Sequence, residues 1–180
     1  MARDLLGCVL VSRLGGTLTA GRIVETEAYL GPEDAASHAA FRPSSHGLFY
    51  GPGGRAYVFR AYGLHHCLNA IAGPPGTVGC VLIRAIEPLR GLAAMARRRG
   101  AVPGPRLASW PGRLTQALAV TRRQSGADLT RGRLTIHRPP AGSGAVRVAT
   151  GPRVGVTRAT RRRLRFWIRG HPGVSGRRPA

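Results

Sequence analysis

Four of the seven acidic side chains in this 180-residue chain, Glu25, Glu27, Glu33 and Asp34, fall within one ten-residue stretch, and His38 follows closely. Around them stand 28 basic residues, every one an arginine, for a formal net charge of +21 and an isoelectric point near 11.9. A chain so charged is drawn to a polyanion, and acids set inside such a field need a reason to be there. A carboxylate held close to a reacting carbon can polarise a water for attack. Chemistry on a nucleic acid is the first reading. Two plainer readings stand beside it: the spacing of Glu25 and Glu27 also fits a solvated strand face paired with nearby arginines, and a basic balance also fits a non-catalytic DNA or RNA binder.

Metal chemistry has little support. His65, His66 and Cys67 are adjacent on a strand-like run, so their side chains alternate between faces and share no ligand set. The H-x-E and P-C-x-x-C signature of zinc nucleobase deaminases is missing. No metal and no cofactor is expected. The odd count of three cysteines, Cys8, Cys67 and Cys80, without a CxxC spacing, speaks against a disulfide framework and suits a reducing compartment.

The elements that would position these residues follow from period and turn signals. Val9 to Leu14 and Thr17 to Leu30 read as a hairpin turned at Gly15-Gly16, and period two puts Glu25, Glu27 and Tyr29 on one face of its second arm. Gly31-Pro32 ends that strand, and Glu33 to Phe41 reads as a short helix carrying His38. Ala56 to Ala61 and Leu64 to Ala72 form a second hairpin signal joined at Tyr62-Gly63. Tyr57 and Phe59 share a face there, arginines flank them, and Tyr62 at the tip is poorly placed for burial. That combination suits base stacking and insertion into a duplex.

Gly79 to Ile86 is a further apolar strand, Pro88 to Arg99 a helix, and Gly112 to Thr121 another, with a Gly/Pro-rich loop up to Pro111 between them. Residues 133–137, 146–149, 153–157 and 164–169 read as β-prone pieces. The uncharged run from Ala61 to Ile83 is interrupted by His65, His66, Asn69 and Gly73-Pro74-Pro75-Gly76, so no membrane span is expected. The expected architecture is a single α+β domain over residues 1–180, a curved, mostly antiparallel sheet with peripheral helices and a protruding β-hairpin. The Arg-rich stretch from about residue 158 to 180 has the composition of a partly flexible tail.

Several blocks, taken in order, resemble the alkyladenine (3-methyladenine) DNA glycosylase family. They are Gly21-Arg22-Ile23-Val24-Glu25-Thr26-Glu27-Ala28-Tyr29-Leu30-Gly31-Pro32-Glu33-Asp34, then Tyr62-Gly63 with Asn69, then Cys80 through Pro88. Leu114 to Val120, Arg153-Val154-Gly155-Val156 and Leu164-Arg165-Phe166 continue it. Multi-block agreement over roughly residues 2 to 175 is far more specific than any single motif.

The resemblance implies a base-excision enzyme that flips damaged purines out of double-stranded DNA. Glu27 would activate water for attack at the sugar C1′, Tyr29 and Phe59 would sandwich the extruded base, and His38 would meet its edge. Tyr62 would fill the gap in the stack, Asn69 would help reject guanine, and Arg84 would help hold the water and a phosphate near Glu27. Phe59 stands where the family often has Tyr, so a hydroxyl contact is lost, and Trp110-Pro111-Gly112-Arg113 is a variant of a family segment. Family members usually carry more residues ahead of the position of Met1, so the start reads as shortened or misassigned.

One mechanistic expectation needs no relative. Glycosylases that also cut the strand use an amine that forms a Schiff base with the sugar. This chain has no lysine and only its terminal amine. A water-using, monofunctional enzyme is therefore expected. Separately, a monomer associated with the nucleoid of a bacterial cytoplasm is expected.

Overall fold

A computed structural model describes residues 1–74, 76–100 and 104–176. Parts of three sequence expectations lie outside the described residues: Pro75 of the Gly/Pro turn, residues 101–103 of the Gly/Pro loop, and the last four residues of the Arg-rich tail.

Among the described residues, eight strands form one curled antiparallel sheet: β1 Val9–Ser12, β2 Thr19–Tyr29, β3 Ala56–Ala61, β4 His65–Ile71, β5 Cys80–Arg90, β6 Leu134–His137, β7 Val148–Gly151 and β8 Arg165–Ile168. The order is β3-β4-β5-β2-β1-β6, and β8 pairs with both β2 and β7. Among the described residues, four short α-helices accompany them: α1 His38–Phe41, α2 His46–Phe49, α3 Leu92–Arg99 and α4 Pro111–Ala117. The expected α+β class with a curved antiparallel sheet is what the chain adopts.

The long strands β2 and β5 are its spine. β5 pairs along nearly all of β2, while the other edge of β2 is shared, with β1 on residues 19–22 and β8 on residues 25–27. Between those two partners the ladder slips, because Ile23 faces Ile86 and Glu25 faces Ala85, which leaves Val24 as an extra residue. Such a bulge bends and twists its strand, and here it marks where β2 changes partner and where the acidic residues begin. Gly21 makes the close approach of β2 to β5 possible: a Cβ there would lie 2.6 Å from the Ile86 side chain and 2.7 Å from the Glu87 carbonyl.

β3 and β4 pair antiparallel with Ala61 opposite His65, so the connection is Tyr62, Gly63 and Leu64, one residue longer than the sequence joined them. There Tyr62 and Gly63 both have positive φ, 51° and 66°, the mirror-image turn whose twist suits antiparallel strands. Tyr62 is 79% exposed.

Several boundaries differ from the sequence reading. The expected helix over residues 33–41 is only α1, because Asp34 spends its carboxylate on the backbone N–H groups of Leu30 and Ala36 and holds residues 31–37 as turns. The expected helix from Pro88 starts at Leu92. Pro88 remains in β5, opposite Gly21, in a stretch where β4 no longer pairs with β5 and no second ladder needs its missing N–H. The helix expected to reach Thr121 ends at Ala117, and residues 153–157 form no strand.

The main core packs Leu10, Ile23, Leu68, Ile83, Ile86, Met95, Leu114 and Leu118 between the sheet and α3–α4. A smaller cluster of Phe49, Tyr57, Ile71 and Cys80, with Tyr29 and Phe59 packed against it, lies under a cleft. No helix of the described residues is long and apolar enough to cross a membrane.

Candidate active site

The cleft has a volume of about 760 Å³ and is lined by Tyr29, His38, Phe59, Asn69, Arg84 and Tyr62 among others. All six were singled out from the sequence. The seventh, Glu27, is fully buried and lies behind them. Its three partners line the cleft in its place. The Tyr29 hydroxyl donates to Oε2 at 2.9 Å, the backbone N–H of Val154 donates to Oε1 at 2.7 Å, and Arg84 Nη1 stands 3.2 Å from Oε2. Oε1 thus has one bond among the described residues and capacity for another.

Burial, and then the charge of Glu27 beside it, drive the Tyr29 phenol well above its ordinary range, so it stays a donor. Burial alone would lower the Arg84 guanidinium, but Glu27 and Glu25 outweigh it, and the net shift is upward. Tyr29 also lies under Arg153, whose guanidinium carbon is 4.7 Å from the ring centre. Arg153 forms a buried two-pronged bond to Asp34, at 2.6 and 2.8 Å, and so anchors the segment that offers the Val154 N–H.

Glu25 is not on a solvated strand surface, as one reading of the spacing had it. It is fully buried, and its Oε1 accepts from Arg84 Nε at 2.9 Å, Arg165 Nε at 2.7 Å and the Ser175 hydroxyl at 3.0 Å. The Ser175 N–H takes Oε2 at 2.6 Å. With both sides of the pair occupied by ion pairs and hydrogen bonds, Glu25 fixes Arg84, and Arg84 faces Glu27.

On the opposite wall, His38 follows the capping residue Ser37, whose side chain accepts from the Ala39 N–H at 3.2 Å. The His38 Nδ1 lies 2.7 Å from the Tyr57 hydroxyl, which in turn lies 3.1 Å from the Ser45 hydroxyl. Burial, with help from Arg42, depresses His38 to about 4, so its ring is neutral near pH 7. Phe59 packs edge-on against it at 4.4 Å between centres. Asn69 is buried, donates to the Tyr57 carbonyl at 3.1 Å and accepts from the Cys80 thiol at 3.8 Å. Burial pushes Cys67 up to about 11 and Cys80 up to about 12, so both cleft cysteines remain thiols.

The arrangement supplies a carboxylate in a cage of donors, an aromatic wall, a neutral imidazole, and a rim carrying Arg42, Arg60 and Arg158. Among the described residues no group of three or more His, Cys, Asp or Glu side chains could hold a metal ion. Sequence reasoning gave Ser175 no part, named Val154 and Trp110 only within family-like segments, and grouped Tyr57 with Phe59 as a stacking aromatic, whereas Tyr57 is buried and its hydroxyl holds His38. Val154 acts through its backbone and gives no side-chain signal. Ser175 lies 150 residues from its partner.

The family model for methylpurine-DNA glycosylase matches residues 1–172. A protein from Koribacter versatilis, provisionally named a 3-methyladenine DNA glycosylase, is 45% identical over 182 residues, covering 99% of this chain and 88% of its own length. A protein from Methanoculleus marisnigri with the same name is 44% identical over 179 residues, covering 98% of this chain and 93% of its own. A third so named, from Chlorobium luteolum, is 40% identical over 183 residues, with 100% and 92% covered.

Proposed function

The chain belongs to the methylpurine-DNA glycosylase family, DNA glycosylases of base excision repair, and on that premise we propose that it flips alkylated or deaminated purines from duplex DNA and removes them hydrolytically. Glu27 is the general base. A water bonded to its free Oε1 position attacks C1′ of the extruded nucleotide, the new C–O bond forms as the bond from C1′ to the purine breaks, the electron pair leaves with the purine, and the water's proton passes to the carboxylate. The product is an abasic site. Alkylation at N3 or N7 makes the purine cationic and a good leaving group, so for those lesions a carboxylate and a positioned water suffice.

Flipping costs a few kcal/mol, least for a base that pairs poorly, and stacking partly offsets it. Tyr29 and Phe59 are the stacking residues, His38 meets the base edge, and Asn69 crowds the exocyclic amine of guanine. Tyr62, exposed on its turn, fills the vacated stack, and Arg84 orients the water and a phosphate. The enzyme works as a monomer, without a cofactor, and does not cut the strand.

The observation that carries this reading is the caged Glu27: a fully buried carboxylate whose three partners, Tyr29, Arg84 and Val154, all face one aromatic-walled cleft. Incubation with methylated duplex DNA, followed by chromatography of the released bases, tests it. Free methylpurine should appear with time and enzyme. Binding of the damaged duplex without release of base would make the protein a non-catalytic DNA binder on the same fold.

A further inference from the structure

Trp110 has no part in the carboxylate cage, yet it is held in a backbone conformation its side chain disfavours. Its φ and ψ are 77° and 141°, a region where glycine is at ease and a bulky residue is an outlier. Its carbonyl accepts from the Leu114 N–H at 3.0 Å at the start of α4. That bond uses only backbone, and glycine would make it with less strain. Nor is the indole core filling, for Trp110 is 39% exposed whereas Trp167 is 7% exposed.

Trp110 lines the cleft, and its ring centre lies 5.7 Å from the guanidinium carbon of Arg84, the group that pairs with Glu27. In the other direction its neighbour Gly112 packs so closely on His65 that a Cβ there would lie 2.7 Å from the ring. The His65 ring is 6.2 Å from that of Tyr62. Trp110 therefore has Arg84 and the caged carboxylate on one side and, through Gly112 and His65, the exposed turn on the other.

We infer that Trp110 is a substrate-contacting residue: its indole is a further aromatic platform on which the base or sugar of the lesion-bearing strand packs, between Tyr62 and Arg84. This rests on reading the cleft as a base-excision site. Aromatic stacking is indifferent to base identity, so Trp110 sets how tightly damaged duplex is held and leaves the choice among lesions to other residues.

The chain has two tryptophans, which makes the contact directly readable. Intrinsic fluorescence is titrated with a duplex carrying one ethenoadenine, in the wild type and in Trp110→Phe and Trp167→Phe. Quenching should occur in the wild type and in Trp167→Phe and vanish in Trp110→Phe. Trp110→Gly suits the backbone, so it should melt near or above the wild type, while its affinity for the duplex falls by roughly 5- to 150-fold, the range of a lost stacking contact. In excision assays the loss should fall on the half-saturating DNA concentration rather than on the saturated rate, and Trp110→Phe should recover most of it. Quenching that survives in Trp110→Phe, or a folded Trp110→Gly that binds and excises like the wild type, would overturn the assignment. A wild type that releases no base from methylated DNA counts against the proposed activity alone, since the quenching and affinity comparisons still judge Trp110.

Discussion

Ser175 holds Glu25 twice across 150 residues of chain, with its N–H 2.6 Å from Oε2 and its hydroxyl 3.0 Å from Oε1. The same hydroxyl accepts from Arg84 Nη2 at 3.1 Å, and Arg165 Nη2 donates to the Ser175 carbonyl. The segment after β8 is thus clasped to the floor of the cleft through one serine, and the clasp sets where Arg84 points.

Glu25→Gln removes the charge shared by two buried guanidiniums. Breaking a buried ion pair from one side costs about 3–5 kcal/mol, which for a chain of this size lowers the melting temperature by something on the order of 10 °C. Ser175→Ala leaves a charge pair intact and should cost about 1–3 kcal/mol. Thermal melts check both. A Glu25→Gln protein that melts like the wild type would mean the clasp contributes nothing to stability.

The contrast between Glu25 and Glu27 also shows how far the sequence could be read. Period two on β2 placed both on one face, and the structure keeps them there, since both reach Arg84. What the pattern could not give was burial, because the residues that cover Glu25 arrive from Arg165 and Ser175, far along the chain. The β3–β4 turn was legible because Tyr62-Gly63 is a local signal. The shortness of α1 was not, because Asp34 bonds to backbone on both sides and to a distant arginine. Trp110 stood out in the sequence only as part of a variant family segment, and its strained φ shows only in the structure.

His38 gives a pH signature. Its folded-state value near 4 lies below the ordinary imidazole value of 6.5. Above about pH 6.5 both folded and unfolded chains carry it neutral, so its contribution to stability is then complete. As the pH falls from 6.5 towards 4 the unfolded chain binds the proton first, and stability is lost across that window. An NMR titration should find the His38 ring resonances steady from pH 8 to about 5. A midpoint near 6.5 would mean that the ring is open to water and that the Tyr57 contact does not persist.

Tyr62→Ala should separate two kinds of DNA. If the exposed ring fills the gap left by a flipped nucleotide, its loss costs about 1–3 kcal/mol by analogy with other stacking contacts. That cost should be felt on duplex substrates and scarcely on single strands, which have no opposing stack to hold open. Excision rates on the two forms measure it. Equal losses would point instead to a structural part for the ring in shaping the turn.

The missing lysine makes a chemical prediction. Damaged duplex treated with the enzyme should accumulate abasic sites that break only after alkali or heat, and borohydride should trap no covalent complex, because no lysine amine is present to form a Schiff base. Nicking that follows enzyme concentration in a clean preparation, or efficient trapping, would show that another amine has entered the chemistry.

Glu27→Gln is the sharpest test of the cage. The amide keeps the size of the side chain and can still accept the Val154 N–H through its oxygen, but it cannot take up a proton from water. It also turns an acceptor into an NH₂ donor, which must face either the Tyr29 hydroxyl and Arg84 or the position proposed for the water. Excision should therefore fall by roughly 10²- to 10⁴-fold, the usual worth of a general base. Removing a negative charge beneath the cleft proposed to take the DNA strand works the other way, so binding to damaged duplex should be equal or tighter. Glu25→Gln, which acts through stability and the placement of Arg84, should lose less activity when both are assayed well below their melting temperatures. Comparing single-turnover rates and duplex affinities of the two proteins decides the matter. Equal losses in both, or a Glu27→Gln enzyme still active on a cationic methylpurine, would remove Glu27 from the role of base and leave the cage as a structural device.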